Sequence, residues 1–351
     1  MVNIPAPAVP APAPAPAPLP GGAPAGPARS GGHGSGLTVN HDVGRSVRVG
    51  WHGAELFRYV YTPEEPAEES PRPYLHPLRT LAGNEVSLYR PHDHRWHKGL
   101  CFGISNFGPY NFWGGGTYVR GQGYRSLDNI GRVEHHDFPV LRRDADAVRL
   151  TERLRWVAAH GQPVASERRR LAVAVWANLS AWLLQFSTVL RNETNEVITI
   201  GSPTTQGREN AGYGGMLWHG PRSFIGGRVV TEDRVGADEL MGWRGRWLGF
   251  VGQHDGYGPP GALASTLVFR HHPTNLGTET TRWFVRTGPY ACLGPAPFFD
   301  REYPLAPGAE LRLRYDVVVA DGERDTAGCG RLADRAGGTD LLAGDPEERH
   351  G

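Results

Sequence analysis

Alternation of apolar and polar residues with a period of two is the feature that most restricts the fold of this chain. In "DAVRLTERLRWV" Val148, Leu150, Leu154 and Trp156 share one face of an extended strand, and Arg149, Arg153 and Arg155 the other. "RRRLAVAVWANL" and "SAWLLQFSTVLRNET" are two further runs, parted at the turn-like Asn178-Leu179-Ser180. "AELRLRYDVVVADG" sets Leu311, Leu313, Tyr315, Val317 and Val319 against Arg312, Arg314 and Asp316. Helical periodicity of three turns with caps is lacking in the central region, and 48 glycines and 30 prolines favour turns over long helices. The expected class is all-β: one large antiparallel β-sandwich with few helices.

Residues 1–36 are Pro-Ala repeats followed by Gly and Ser, without the bulky apolar residues a core needs, and are expected to form a disordered arm. The sandwich is expected over 37–322, with a tail over 323–351 that holds at most one short helix. Lys+Arg 37 against Asp+Glu 36 leaves a net charge of +1, and no basic field for nucleic acid is visible. No run approaches the roughly 18 apolar residues of a membrane span. Three widely separated cysteines, Cys101, Cys292 and Cys329, do not form a disulfide framework. The N-terminus lacks the basic and apolar regions of a signal peptide. The expectation is a soluble, cytoplasmic protein.

Chemistry concentrates in "RPHDHRWHKGLCF", residues 90–102. His92 and His94 share a face in a strand, and a turn at Arg95-Trp96 brings His97 to the same side. Three readings are open. Two imidazoles with Asp93 suit zinc or iron. The same groups suit proton transfer near neutral pH. Or they are loop histidines entering a strand. In "RPYLHPLRTLAGNEV" His76 and Arg79 follow prolines that mark a bend or edge. "GPYNFWGGGTYVRGQGYRS" mixes rings with glycines, so that Trp113 can stack on a sugar or base. "TTQGRENAGYGGMLWHGPRS" carries Arg208, Glu209, Tyr213 and His219, with Glu209 the first nominee for a base and Asp93 the second.

Together "RPYLHPLRTLAG", "DHRWHKGL", "NFWGG", "GYGGMLWHGPRSF" and "YPLAPGAELRLRYDVVVADG" resemble the soluble bacterial PmoA-like family, labelled methane oxygenase PmoA, over about residues 45 to 322. That resemblance implies a β-supersandwich akin to galactose mutarotase. It also implies a partner in the same pathway, a sugar oxidoreductase of the glucose–fructose oxidoreductase type. It carries over His76 and Arg79, then Asp93, His94 and His97, then Asn111 and Trp113, and Tyr213 with Gly214. Particulate methane monooxygenase subunits lie in membranes, whereas this chain has no spanning run, so methane oxidation is not adopted.

The leading expectation is an enzyme for a carbohydrate or oxidised sugar, of isomerase, lyase or hydrolase type, requiring no cofactor. His76, His94 or His97 would act as acid, Glu209 or Asp93 as base, and Arg79 would steady an oxyanion. Asn111, Trp113, Arg208, Tyr213 and His219 would bind the substrate. Two alternatives stand beside it. One is a metal-dependent oxygenase or oxidoreductase with Fe or Zn on His94, His97 and Asp93 or His76. The other is a non-catalytic sugar-binding module.

Overall fold

A computed structural model describes residues 36–258, 263–276 and 281–343. The Pro-Ala arm lies outside the described residues, except for Gly36, as does the chain end after 343. Two antiparallel sheets dominate. An eight-stranded sheet runs in the order Leu37–Asp42, Ser46–Trp51, Ala54–Val60, Tyr74–Leu78, Leu100–Gly103, Gly215–His219, Cys292–Ala296, Arg282–Arg286. A nine-stranded sheet runs Val235–Gly236, Arg228–Val230, Trp247–Gln253, Ala264–His271, Glu310–Asp321, Ala181–Asn192, Pro163–Trp176, Val148–Val157, Arg132–Arg143. The antiparallel all-β sandwich expected from the alternation is what the structure shows. The four runs that carried that expectation are the four neighbouring strands from Glu310–Asp321 to Val148–Val157, and the turn between the middle pair is the 3-10 turn Ala177–Leu179.

The inner faces of the two sheets meet in the main core, where Phe102 stacks on Phe186 at 5.8 Å and Phe57 on Trp182 at 5.7 Å. "LAVAV" and "VVVA" do not alternate because those strands are covered on both faces. The outer cover is the helix Thr326–Gly337, which places Cys329, Leu332, Ala333 and Ala336 against Ala172, Ala174, Val318 and Ala320. Asp325 caps it by accepting the Gly328 amide at 2.7 Å.

Strand parity also turns charge inward. Glu152 shares the face of Leu150 and Leu154, and Arg169 sits directly opposite it in register. Glu152, Glu167 and Arg169 are each 2% exposed or less. Arg169 donates to both Glu167 oxygens at 2.8 and 3.0 Å and to the Tyr59 hydroxyl at 3.1 Å. Glu152 pairs with His135 Nδ1 at 2.7 Å and accepts from Tyr59. These contacts satisfy groups that would otherwise be costly to bury.

Candidate functional site

The site grows on the outer face of the eight-stranded sheet. Odd and even positions there sort cleanly: Leu100, Phe102, Met216, Trp218 and Leu293 enter the main core, while Cys101, Leu217, Cys292, Ala296 and Phe284 face outward. Loops rising from strand ends roof this outward layer. In the 90–99 loop the His97 amide donates to the His94 carbonyl at 2.9 Å, closing a turn that brings the two imidazoles to 5.0 Å between centroids. The facing loop is set by Asn111, whose Oδ1 accepts from the amides of Trp113 and Gly114 at 2.8 and 3.0 Å. Gly114 has φ +94, and a Cβ there would lie 2.7 Å from the Glu69 carbonyl. Only glycine allows that approach. Buried Arg72 ties the two loops together, donating to the Trp96 carbonyl at 2.8 Å and to the Trp113 carbonyl at 2.9 Å.

Between these loops lies a cavity of about 330 Å³ lined by His94, Trp96, His97, Trp113, Gly114, Gly116, Tyr124, Arg208, Tyr213, Leu217, Phe284 and Tyr290. Its walls are mainly aromatic and its polar groups few, as in small-molecule sites. The Tyr124 and Tyr213 hydroxyls are 2.8 Å apart, and Arg208 at the rim donates to Tyr124. His94 Nδ1 lies 3.3 Å from Asp93 Oδ2, close enough to pair though not aligned as a hydrogen bond. Burial works against the charge of Asp93, but the Arg222 guanidinium, the backbone amide of Asp93 and His94 together outweigh it and hold the carboxyl at about 2.

In the cavity wall at His97, and directly behind it at His219 and Cys292, three residues from a loop and two strands come together. His219 and Cys292 are register partners on neighbouring antiparallel strands, so their side chains share the outer face. His219 Nδ1 is 2.8 Å from His97 Nδ1 and 3.1 Å from Cys292 Sγ; His97 Nδ1 and Cys292 Sγ are 4.0 Å apart. Burial pulls the His219 imidazole down to about 3 and that of His97 well below its usual value, with positive neighbours adding to both. Burial pushes the Cys292 thiol up. Among the described residues, these three are the set whose donor atoms converge as metal ligands would.

The expected site residues divide into three groups. His94, His97, Trp113, Arg208 and Tyr213 line one cavity. Asn111 and His219 stand behind it, positioning the loop and adjoining His97. His76, Arg79 and Glu209 do not line it. His76 bonds Ser87 Oγ at 2.9 Å and stacks on Tyr89, and Arg79 pairs with Glu85 at 3.0 Å. Glu209 is exposed, and Asp93 reaches the site only through His94. The iron or zinc set of His94, His97 and Asp93 or His76 is not assembled; the convergent donors include His97 alone of that group. Trp96, Tyr124, Phe284, Tyr290 and the role of Cys292 were not foreseen. Strand parity puts Phe284 and Cys292 on one face, but which strands adjoin is decided by sheet order.

Lys98, next to His97, is wholly buried and bonds Glu69 at 2.8 Å, with Glu65 at 3.4 Å. Glu69 also takes two bonds from Arg90, at 2.8 and 2.6 Å. Burial opposes the charge of Glu69, but Arg90 and Lys98 outweigh it and hold the carboxyl below the usual carboxylate range. A depressed folded-state value stabilises above the unfolded value of about 4.3 and ceases to do so as pH falls through the lower folded value. Urea unfolding from about pH 6 to about pH 3 is therefore expected to show a steeper loss for the native chain than for Glu69→Gln. Equal slopes would remove Glu69 from the acid response.

A family model described as "Family of unknown function (DUF6807)" matches residues 46–334. That description does not carry the methane-oxygenase label suggested by the motifs, and nothing in the comparisons supports the label. No curated protein matches the chain. Among solved structures, the chain is similar to a galactose 1-epimerase from Lactobacillus acidophilus NCFM, with 9% identity and a TM-score of 0.38, over 82% of this chain and 100% of that one. It is also similar to a GH36 α-galactosidase from Geobacillus stearothermophilus, with 10% identity and a TM-score of 0.33, over 81% of this chain. This chain spans 40% of that α-galactosidase. Among the described residues, no helix is long and apolar enough to cross a membrane.

Proposed function

We propose that this chain, which belongs to the DUF6807 family of unknown function, is an enzyme acting on a sugar or oxidised sugar held in the cavity of the outer sheet face. One observation carries the reading. A 330 Å³ hollow combines Trp96, Trp113, Tyr213 and Tyr290 with His94, Tyr124 and Arg208. Flat rings bury the apolar C–H face of a pyranose, and the few polar groups at the edge orient its hydroxyls. A hydroxyl, or a carbon beside a carbonyl, exchanges its proton with His94. Asp93 stays charged behind that imidazole, 3.3 Å from its Nδ1. Arg208 and the paired tyrosine hydroxyls hold the oxygen on which negative charge develops, the part the sequence alone assigned to Arg79.

The test is a binding screen of aldoses, ketoses, sugar lactones and keto-sugars by thermal shift and saturation-transfer NMR. At least one class is expected to bind. Arg208→Ala, an exposed position, is expected to weaken that ligand by about 1.5–3 kcal/mol, roughly tenfold to a hundredfold, with the melting temperature unchanged. No binding by any member of the panel would remove the sugar reading.

A non-catalytic binding module is the second reading, favoured by the absence of carboxylates from the cavity lining among the described residues. Tight binding without product in the same screen would select it.

A further inference from the structure

We propose that His97 Nδ1, in the cavity wall, and His219 Nδ1 and Cys292 Sγ, directly behind it, bind one zinc-type transition-metal ion. The inference does not depend on what the cavity binds. All three residues are 6% exposed or less. They come from the 90–99 loop and from two adjacent strands, so the fold, not local sequence, brings them together.

Hydrogen-bond accounting favours an ion over a bonded trio. His219 Nδ1 has one valence to offer, either a hydrogen or a lone pair. Yet it has two partners, His97 Nδ1 at 2.8 Å and Cys292 Sγ at 3.1 Å. If it donates to one, the other receives nothing. If it accepts from one, the other has no lone pair to reach. A cation removes the conflict, because each donor then aims one lone pair at a common point. Ligand distances of about 2.0–2.1 Å to nitrogen and 2.3 Å to sulfur span the observed separations, with angles at the metal of roughly 90° to 130°.

The donor set also selects the ion. Two imidazoles and a thiolate suit zinc or copper, not calcium or magnesium, which take oxygen ligands. Binding forms a metal–sulfur bond and releases the thiol proton to solvent, so affinity rises with pH. Three protein ligands leave a position open, the pattern of a catalytic zinc. Of the three ligands, His97 is the one that also lines the cavity.

The experiment uses the full chain without an affinity histidine tag, purified without chelator. Elemental analysis is expected to find about one equivalent of zinc. Chelator-stripped protein titrated with Co(II) is expected to develop a thiolate-to-cobalt absorption band in the near ultraviolet that saturates at one equivalent. Cys292→Ser should abolish the band. His219→Gln should weaken Co(II) binding by more than the roughly 10–100-fold typical of a group that only orients a ligand. Cys329→Ser, on the helix that covers the other sheet, should leave the band intact. Less than about a tenth of an equivalent of metal, together with no band at excess Co(II), would overturn the assignment. So would a band that survives Cys292→Ser. The native-chain titration decides the matter even if a variant fails to fold. Sugar binding is read separately, so loss of either proposal leaves the other standing.

Discussion

His94→Gln is expected to lower turnover about 10²–10⁴-fold on the sugar the cavity accepts, while its dissociation constant changes only a few fold. Glutamine keeps a polar amide of similar reach but cannot exchange a proton near neutral pH. The imidazole sits against Tyr290 and Trp96, with ring centroids at 4.8 and 5.3 Å, so its plane is set by packing. With Nδ1 turned toward Asp93, Nε2 is the nitrogen left for substrate. Single-turnover kinetics beside calorimetric binding separate the two quantities. Unchanged turnover would take proton transfer away from His94. A parallel loss of binding would make it a binding residue only.

Arg169→Met is expected to destabilise the chain by about 3–5 kcal/mol, among the largest effects of any single conservative-volume change here. The loss comes less from the missing pair than from what remains. Glu167, 2% exposed, would be left inside the sandwich core without its cation, and Glu152, 0% exposed, would keep only His135 and Tyr59. Trp156 Nε1 at 2.8 Å and Thr188 Oγ1 at 2.9 Å still serve Glu167, but a neutral donor does not balance a buried carboxylate. The double variant Arg169→Met, Glu167→Leu should recover part of the loss, and its excess over additivity measures the coupling. Urea unfolding with a loss below about 1 kcal/mol would show that water reaches these carboxylates.

Much of the architecture was legible because β-periodicity is local. Val148, Leu150, Leu154 and Trp156 announce a buried face within nine residues, and Leu311 to Val319 do the same. The inward turn of Glu152 and Arg169 follows from the same parity, yet composition argues against it. Only the cross-strand register, which sets the two opposite each other, makes their burial tolerable. At the site, "HDHRWHKG" and "NFWGG" were readable as polar and aromatic turns. His94, His97 and Trp113 do meet in one cavity, whereas His76, Arg79 and Glu209 are committed elsewhere or exposed.

The sequence by itself determined strand identity, buried faces and the segments rich in titratable and aromatic groups, since these depend on residues two to four apart. Tertiary structure alone decided which of those segments face one another. Cys292 lies 73 residues from His219 and 195 from His97, and no local pattern relates them. Sheet order makes their strands neighbours, and the pleat then turns both strand side chains to the face where the loop histidine arrives. A pairing between distant strands rewards the chain only after the loops between them are closed. That choice is made by the whole fold, and the candidate site is one of its consequences.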